Sequence, residues 1–123
     1  MANDVLVVED DPDMAEIMRF VLQRAGYDVR VAENGERGLE AAAERLPGLI
    51  LLDMLMPVMD GWQCARELRA KYGRRVPIVV VSAAEHVRSR CAGLDVDDVL
   101  PKPFELNELL QLVARYAVRA AIQ

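Results

Sequence analysis

The chain has 123 residues, 53% hydrophobic and 28% charged, which is enough for one domain whose core needs no metal or disulfide staple and too apolar for a disordered segment. Fifteen basic against twenty acidic side chains leave a formal charge of −5, and an acidic surface repels nucleic acid and anionic membrane alike, so neither is an expected partner. Cys64 and Cys91, the only cysteines, read as buried thiols of a reducing compartment, and every apolar run is cut by a charge or proline well short of a membrane span, which points to a cytoplasmic protein with no signal peptide.

Val5 to Val8 is an apolar run that stops at Glu9, as a buried strand would. Met14, Ile17, Met18, Val21, Leu22 and Ala25 then recur at helical spacing, with Asp11 as N-cap, Pro12 in the first turn and Gly26 as the stop. Val29 and Val31 alternate with Asp28 and Arg30, the pattern of an outer strand with one wet side. Asn34 opens a helix carrying Leu39, Ala42, Ala43 and Leu46, closed by Pro47-Gly48. Leu49 to Leu52 is apolar at every position, as a central parallel strand covered on both faces requires, and it ends at Asp53.

A loop rich in methionine follows, after which Asp60 caps a helix bearing Ala65 and Leu68 and ending near Gly73. Its basic residues Arg66, Arg69 and Lys71, with Arg74 and Arg75, read as a solvated helix end. Ile78 to Val81 is a second doubly buried strand, ending at Ser82. Residues 84–93 suit a weaker helix, and Val99-Leu100 a short last strand before Lys102-Pro103. Leu106, Leu109, Leu110, Val113, Tyr116 and Ala117 mark the final helix.

Five strand-then-helix units predict an α/β fold: a doubly wound (βα)5 domain with a five-stranded parallel sheet in the flavodoxin-like order 2-1-3-4-5 and helices on both faces. The expectation is a single domain over residues 1–123 with no output domain.

Sheets of this kind bind ligands outside the carboxyl ends of their strands. Those ends offer Glu9 and Asp10, Asp53, Ser82 and Lys102. Three carboxylates gathered there repel one another by several kcal/mol per pair, roughly, at an effective dielectric near 20, so a cation is expected among them. All the donors are oxygens, which favours the hard ion Mg2+, with Mn2+ as a substitute, over zinc. One divalent ion cancels the charge that Lys102 leaves uncompensated. A metal, a lysine, a hydroxyl and a carboxylate nucleophile together suit phosphoryl transfer.

The stretches Val7-Val8-Glu9-Asp10, Leu52-Asp53, Met56-Pro57-Val58-Met59-Asp60-Gly61, Val81-Ser82-Ala83 and Lys102-Pro103-Phe104 occur in order across nearly the whole chain. In them the sequence resembles a response-regulator receiver domain of the CheY-like superfamily, the phosphoacceptor half of two-component signalling. The resemblance implies that Asp53 takes a phosphoryl group from a histidine kinase or histidine phosphotransfer protein and so switches the binding of an output protein, whose identity the sequence does not carry. It implies that Asp10, Asp53 and the backbone carbonyl of Leu55 hold Mg2+, with Glu9 reaching it through water. Ser82 and Lys102 would bind phosphoryl oxygens, assisted by the N–H of Ala83, and the Lys102–Pro103 bond would be cis. Such a domain is a signalling module rather than an enzyme.

Two positions depart from the family pattern. Val99 stands where receivers usually carry a Tyr or Phe whose rotamer follows the strand-4 hydroxyl, and that hydroxyl is Ser82 where Thr is commoner. The switch is therefore expected to run through the loop after Ser82 and residues 83–98 without an aromatic rotamer change. Three other classes compete with the receiver. A Mg2+-dependent aspartyl-nucleophile phosphatase would use Asp11-Pro12-Asp13, but those residues read as a helix start. A flavin-binding domain of the same topology needs a phosphate cradle, which Glu9-Asp10-Asp11 would repel. A receiver-like binding module that is not phosphorylated would not need every site position filled. His86, the only histidine, reads as a solvated side chain.

Overall fold

The computed structural model describes residues 4–54, 56, 58–83, 93 and 95–122, with side chains described as far as residue 117. Its strands are β1 (Asp4–Val8), β2 (Asp28–Ala32), β3 (Leu49–Leu52), β4 (Ile78–Ser82) and β5 (Asp98–Pro101). The helices among the described residues are α1 (Pro12–Arg24), α2 (Gly35–Glu44), α3 (Gly61–Tyr72) and α4 (Leu106–Ile122). All strand pairs are parallel, as the alternation of apolar runs and helical stripes predicts, and their order is β2-β1-β3-β4-β5, that of a flavodoxin-like sheet. The helix expected over residues 84–93, with Cys91 and His86, lies almost wholly outside the described residues.

Successive strand residues point to opposite faces, and each face has its own cover. Val5, Val7, Leu49, Leu51, Val79, Val81 and Leu100 pack with Met18 and Leu22 of α1 and with Leu109, Val113 and Tyr116 of α4. Leu6, Val8, Ile50, Leu52 and Ile78 pack on the other side with Ala42 of α2 and Cys64, Ala65 and Leu68 of α3. Two covered faces explain why the central strands are apolar throughout, each fully buried Leu or Val contributing about 1.5–3 kcal/mol. Burial also pushes the Cys64 thiol up to about 12, so this cysteine packs as an inert apolar group.

Helix starts follow their sequence signals. Asp13 N–H donates to Asp11 Oδ1 at 3.0 Å, Arg37 N–H to Asn34 Oδ1 at 2.8 Å and Gln63 N–H to Asp60 Oδ1 at 2.9 Å, so each cap satisfies one orphan donor of its helix. Other details differ from expectation. α1 buries Ala15, Met18 and Leu22, whereas Ile17 is 47% exposed, because a helix on one sheet face buries only a narrow stripe. Val31 is exposed at the edge of the sheet, and Leu106 is exposed in the first turn of α4.

Arg69 is not solvated. Its guanidinium donates to the carbonyls of Asp95 (2.5 Å), Val76 (2.7 Å) and Gly73 (3.0 Å) and to Asp97 Oδ2 (2.6 Å). Asp97 Oδ2 also accepts from Ile78 N–H at 2.8 Å. This clamp fastens the end of α3 to the chain entering β4 and β5, at the edge of the sheet opposite the strand carboxyl ends.

Candidate functional site

Strand register brings the candidate residues together. Val8 of β1 pairs with Leu52 of β3, so Glu9 and Asp53 emerge level with each other, and Asp53 N–H donates to the Val8 carbonyl at 3.0 Å. Ser82 pairs with Pro101, which sets Lys102 one residue beyond the β4 end, and Lys102 N–H donates to the Ser82 carbonyl at 2.9 Å. The Lys102–Pro103 peptide bond is cis.

The carboxylates of Glu9, Asp10 and Asp53 each place an oxygen within 4.8 Å of the others. Glu9 and Asp53 are buried and Asp10 is exposed, so the cluster opens to solvent on the Asp10 side. Lys102 Nζ donates to Glu9 Oε1 at 2.5 Å and lies 3.6 Å from Asp53 Oδ2. Burial pushes the Glu9 carboxyl up to about 7, opposed by the Lys102 bond and reinforced by the neighbouring Asp53. Desolvation prevails because one ammonium is shared between two buried acids.

Three converging carboxylates, with no His or Cys in the group among the described residues, form a set for a hard cation, and Mg2+ or Mn2+ fits it. The Ser82 side chain is fully buried at the end of β4, and Ala83 after it is exposed. Leu55, assigned a backbone ligand by resemblance, lies outside the described residues. Asp11 caps α1 through its side chain, which accepts from Asp13 N–H, so both belong to the helix start, whereas Asp53 follows directly on β3.

Val99 is buried with Met54 and Val80, and Trp62 of α3 packs against the three. The position lacking the family aromatic is thus filled by aliphatic groups and bordered by the only tryptophan of the chain.

Two glycines shape the loop after Asp53. A Cβ on Gly61 would overlap the Asp53 carbonyl and lie 2.5 Å from Met54 Sδ. The closeness of Gly35 to Met59 was not visible in the sequence, where Asn34-Gly35 marks only a helix start. The contact joins segments far apart in the chain, and no local pattern announces it.

The model for the response regulator receiver domain matches residues 5–114. Response regulator MprA of Mycobacterium sp. (strain KMS) is 44% identical over 108 residues, 86% of this chain and 46% of that protein. MprA of Mycobacterium ulcerans is 44% identical over 112 residues, 89% and 48% of the two chains. The chain therefore spans about half the length of the curated relatives it matches. Among solved structures, response regulator TrrA of Thermotoga maritima in complex with Mg2+-BeF has a TM-score of 0.86 at 32% identity, covering 93% of this chain and 98% of that one. The receiver domain of a sensor histidine kinase of Pseudomonas aeruginosa PAO1, with magnesium coordinated in its active-site cleft, has a TM-score of 0.86 at 33% identity, covering 94% and 98%.

Proposed function

The chain belongs to the response regulator receiver domain family of two-component systems, and from that premise we propose that Asp53 is its phosphoacceptor. The observation that carries this reading is the gathering of Glu9, Asp10 and Asp53 within 4.8 Å, with Lys102 3.6 Å from Asp53. Such a constellation is costly to bury without a compensating cation, and it leaves a carboxylate beside a place for metal and an ammonium.

The donor is a phosphohistidine on a histidine kinase or phosphotransfer protein. An Asp53 carboxylate oxygen attacks the phosphorus, the new O–P bond forming as the P–N bond breaks. The imidazole leaves with the electron pair and takes up a proton. Lys102 turns from Glu9 towards the phosphoryl oxygens, and the Ser82 hydroxyl donates to one of them. Mg2+ or Mn2+, held by Asp10, Asp53 and the Leu55 carbonyl with Glu9 beside them, would balance charge on the transferring group. The result is a switch in affinity for an output protein. No helix among the described residues is long and apolar enough to cross a membrane, and the proposed setting is the cytoplasm.

Incubation with acetyl phosphate, with and without Mg2+, followed by intact mass tests the proposal. Wild type should gain one phosphoryl group only when metal is present, and Asp53→Asn none. Equal labelling of the variant, or repeated turnover of phosphate esters, would overturn it.

A further inference from the structure

We propose that Gly35, the first residue of α2, is a positioning residue for Met59 and, through Asp60 and Gly61, for Asp53 and the metal affinity of the acid cluster. The proposal rests on the phosphoacceptor reading and extends it to a residue outside the cluster.

A Cβ at Gly35 would stand 2.7 Å from the Met59 carbonyl oxygen, 3.0 Å from its Cγ and 3.1 Å from its Cβ. The nearest of these atoms is backbone, so no side-chain rotation relieves the contact, and Met59 has little room to retreat. Asp60, the next residue, is fixed as the N-cap of α3. Gly61 N–H donates to the Met54 carbonyl at 2.9 Å, and its Cα faces the backbone of Asp53 closely enough that no side chain fits between them.

On the other side of Met59, Val58 holds φ +70° while 75% exposed. A β-branched residue seldom adopts that backbone, so the chain is already turned hard at this point. Gly35 is anchored as well, since its carbonyl accepts from Cys64 Sγ of α3 at 3.6 Å. With both partners fixed, the missing side chain at position 35 sets where the Met59 carbonyl lies. A displacement of Met59 is passed through Asp60 to Gly61, which lies against the Asp53 backbone.

Metal carboxylates tolerate such shifts poorly, and changes in the groups that support ligands commonly weaken affinity about 10–100-fold. Gly35→Ala should therefore weaken Mg2+ binding at least about tenfold. The readout is the emission of Trp62, the only tryptophan, during titration with MgCl2. Ala42→Gly loosens the same helix from within the core and should lower the melting temperature while leaving Mg2+ affinity within about twofold. Gly35→Ala combined with Met59→Gly removes the Cβ and Cγ contacts but leaves the carbonyl contact, so it should recover only part of the affinity and stay below wild type.

Unchanged affinity in Gly35→Ala, or an equal loss in Ala42→Gly, would overturn the proposal. If Gly35→Ala fails to fold, the double variant is titrated in its place: Mg2+ affinity below wild type supports the proposal, because the carbonyl contact remains, and wild-type affinity overturns it. A wild type that binds Mg2+ but is not labelled by acetyl phosphate would defeat the phosphoacceptor reading alone, because the affinity ratios would still decide the role of Gly35.

Discussion

Lys102 Nζ sits 2.5 Å from Glu9 Oε1 but 3.6 Å from Asp53 Oδ2, so the ammonium is held by the acid that is not the proposed nucleophile. Before metal or phosphoryl arrives it balances two buried carboxylates. Lys102→Ala takes the ammonium from both, and breaking a buried pair by removing one partner costs about 3–5 kcal/mol. The metal-free variant should lose on the order of 3 kcal/mol in urea denaturation at about pH 8, and less at about pH 5.5, where Glu9 takes up a proton instead. Millimolar Mg2+ should restore most of the loss. Equal loss with and without Mg2+ would show that the lysine does not serve as the cluster's resting counter-charge.

Glu9 makes stability pH-dependent in a direction that can be worked out. Its folded carboxyl titrates near 7 against an ordinary 4.5, so between those values the metal-free folded state binds more protons than the unfolded chain. The contribution is fully present below about pH 4.5 and is lost as pH rises through about 7. From about pH 5 to 8, wild type in EDTA should lose on the order of 1–3 kcal/mol more stability than Glu9→Gln. Mg2+ competes with the same proton, so its stabilising effect should grow over that interval. Parallel pH profiles for wild type and Glu9→Gln would refute the assignment.

At the opposite edge of the sheet, Arg69 serves four acceptors with a side chain only 9% exposed. Arg69→Ala should cost about 2–4 kcal/mol, because it takes the buried guanidinium from Asp97 and a donor from each of three carbonyls. Arg69→Lys should recover less than half, since a compact ammonium cannot span the same fork. The clamp lies away from the acid cluster, so the Mg2+ affinity of Arg69→Lys should match wild type. A large drop in that affinity would mean that the two ends of the sheet are coupled.

Much of the fold and the acid cluster was legible because both are written in local pattern. Apolar runs such as Leu49 to Leu52 mark buried strands, and the residue after each run is carried to the same rim by parallel register. Arg69 is indistinguishable in sequence because its neighbours Arg66, Lys71, Arg74 and Arg75 carry the same charge, and only tertiary placement buries its guanidinium against Asp97. Ile17 fits the helical period as well as Ala15 does, but the sheet covers the small residue and leaves the large one in water. Gly35 was opaque for the same reason: its neighbour Met59 is 24 positions away.

Val99 bears on how a signal leaves the site. It is 6% exposed and packed with Met54 and Val80, and Trp62 leans on the group. A ring introduced there must displace Trp62 or strain Met54, the residue after the proposed phosphoacceptor. Val99→Tyr should therefore cost about 1–3 kcal/mol by overpacking, while Val99→Ile stays within about 1.5 kcal/mol. The tyrosine variant should also shift Trp62 emission to longer wavelength as the indole moves toward water. Urea denaturation with fluorescence reads both effects in one experiment. If Val99→Tyr were as stable as wild type with unchanged emission, the cluster would hold space for a ring, and an aromatic switch could operate in this fold after all.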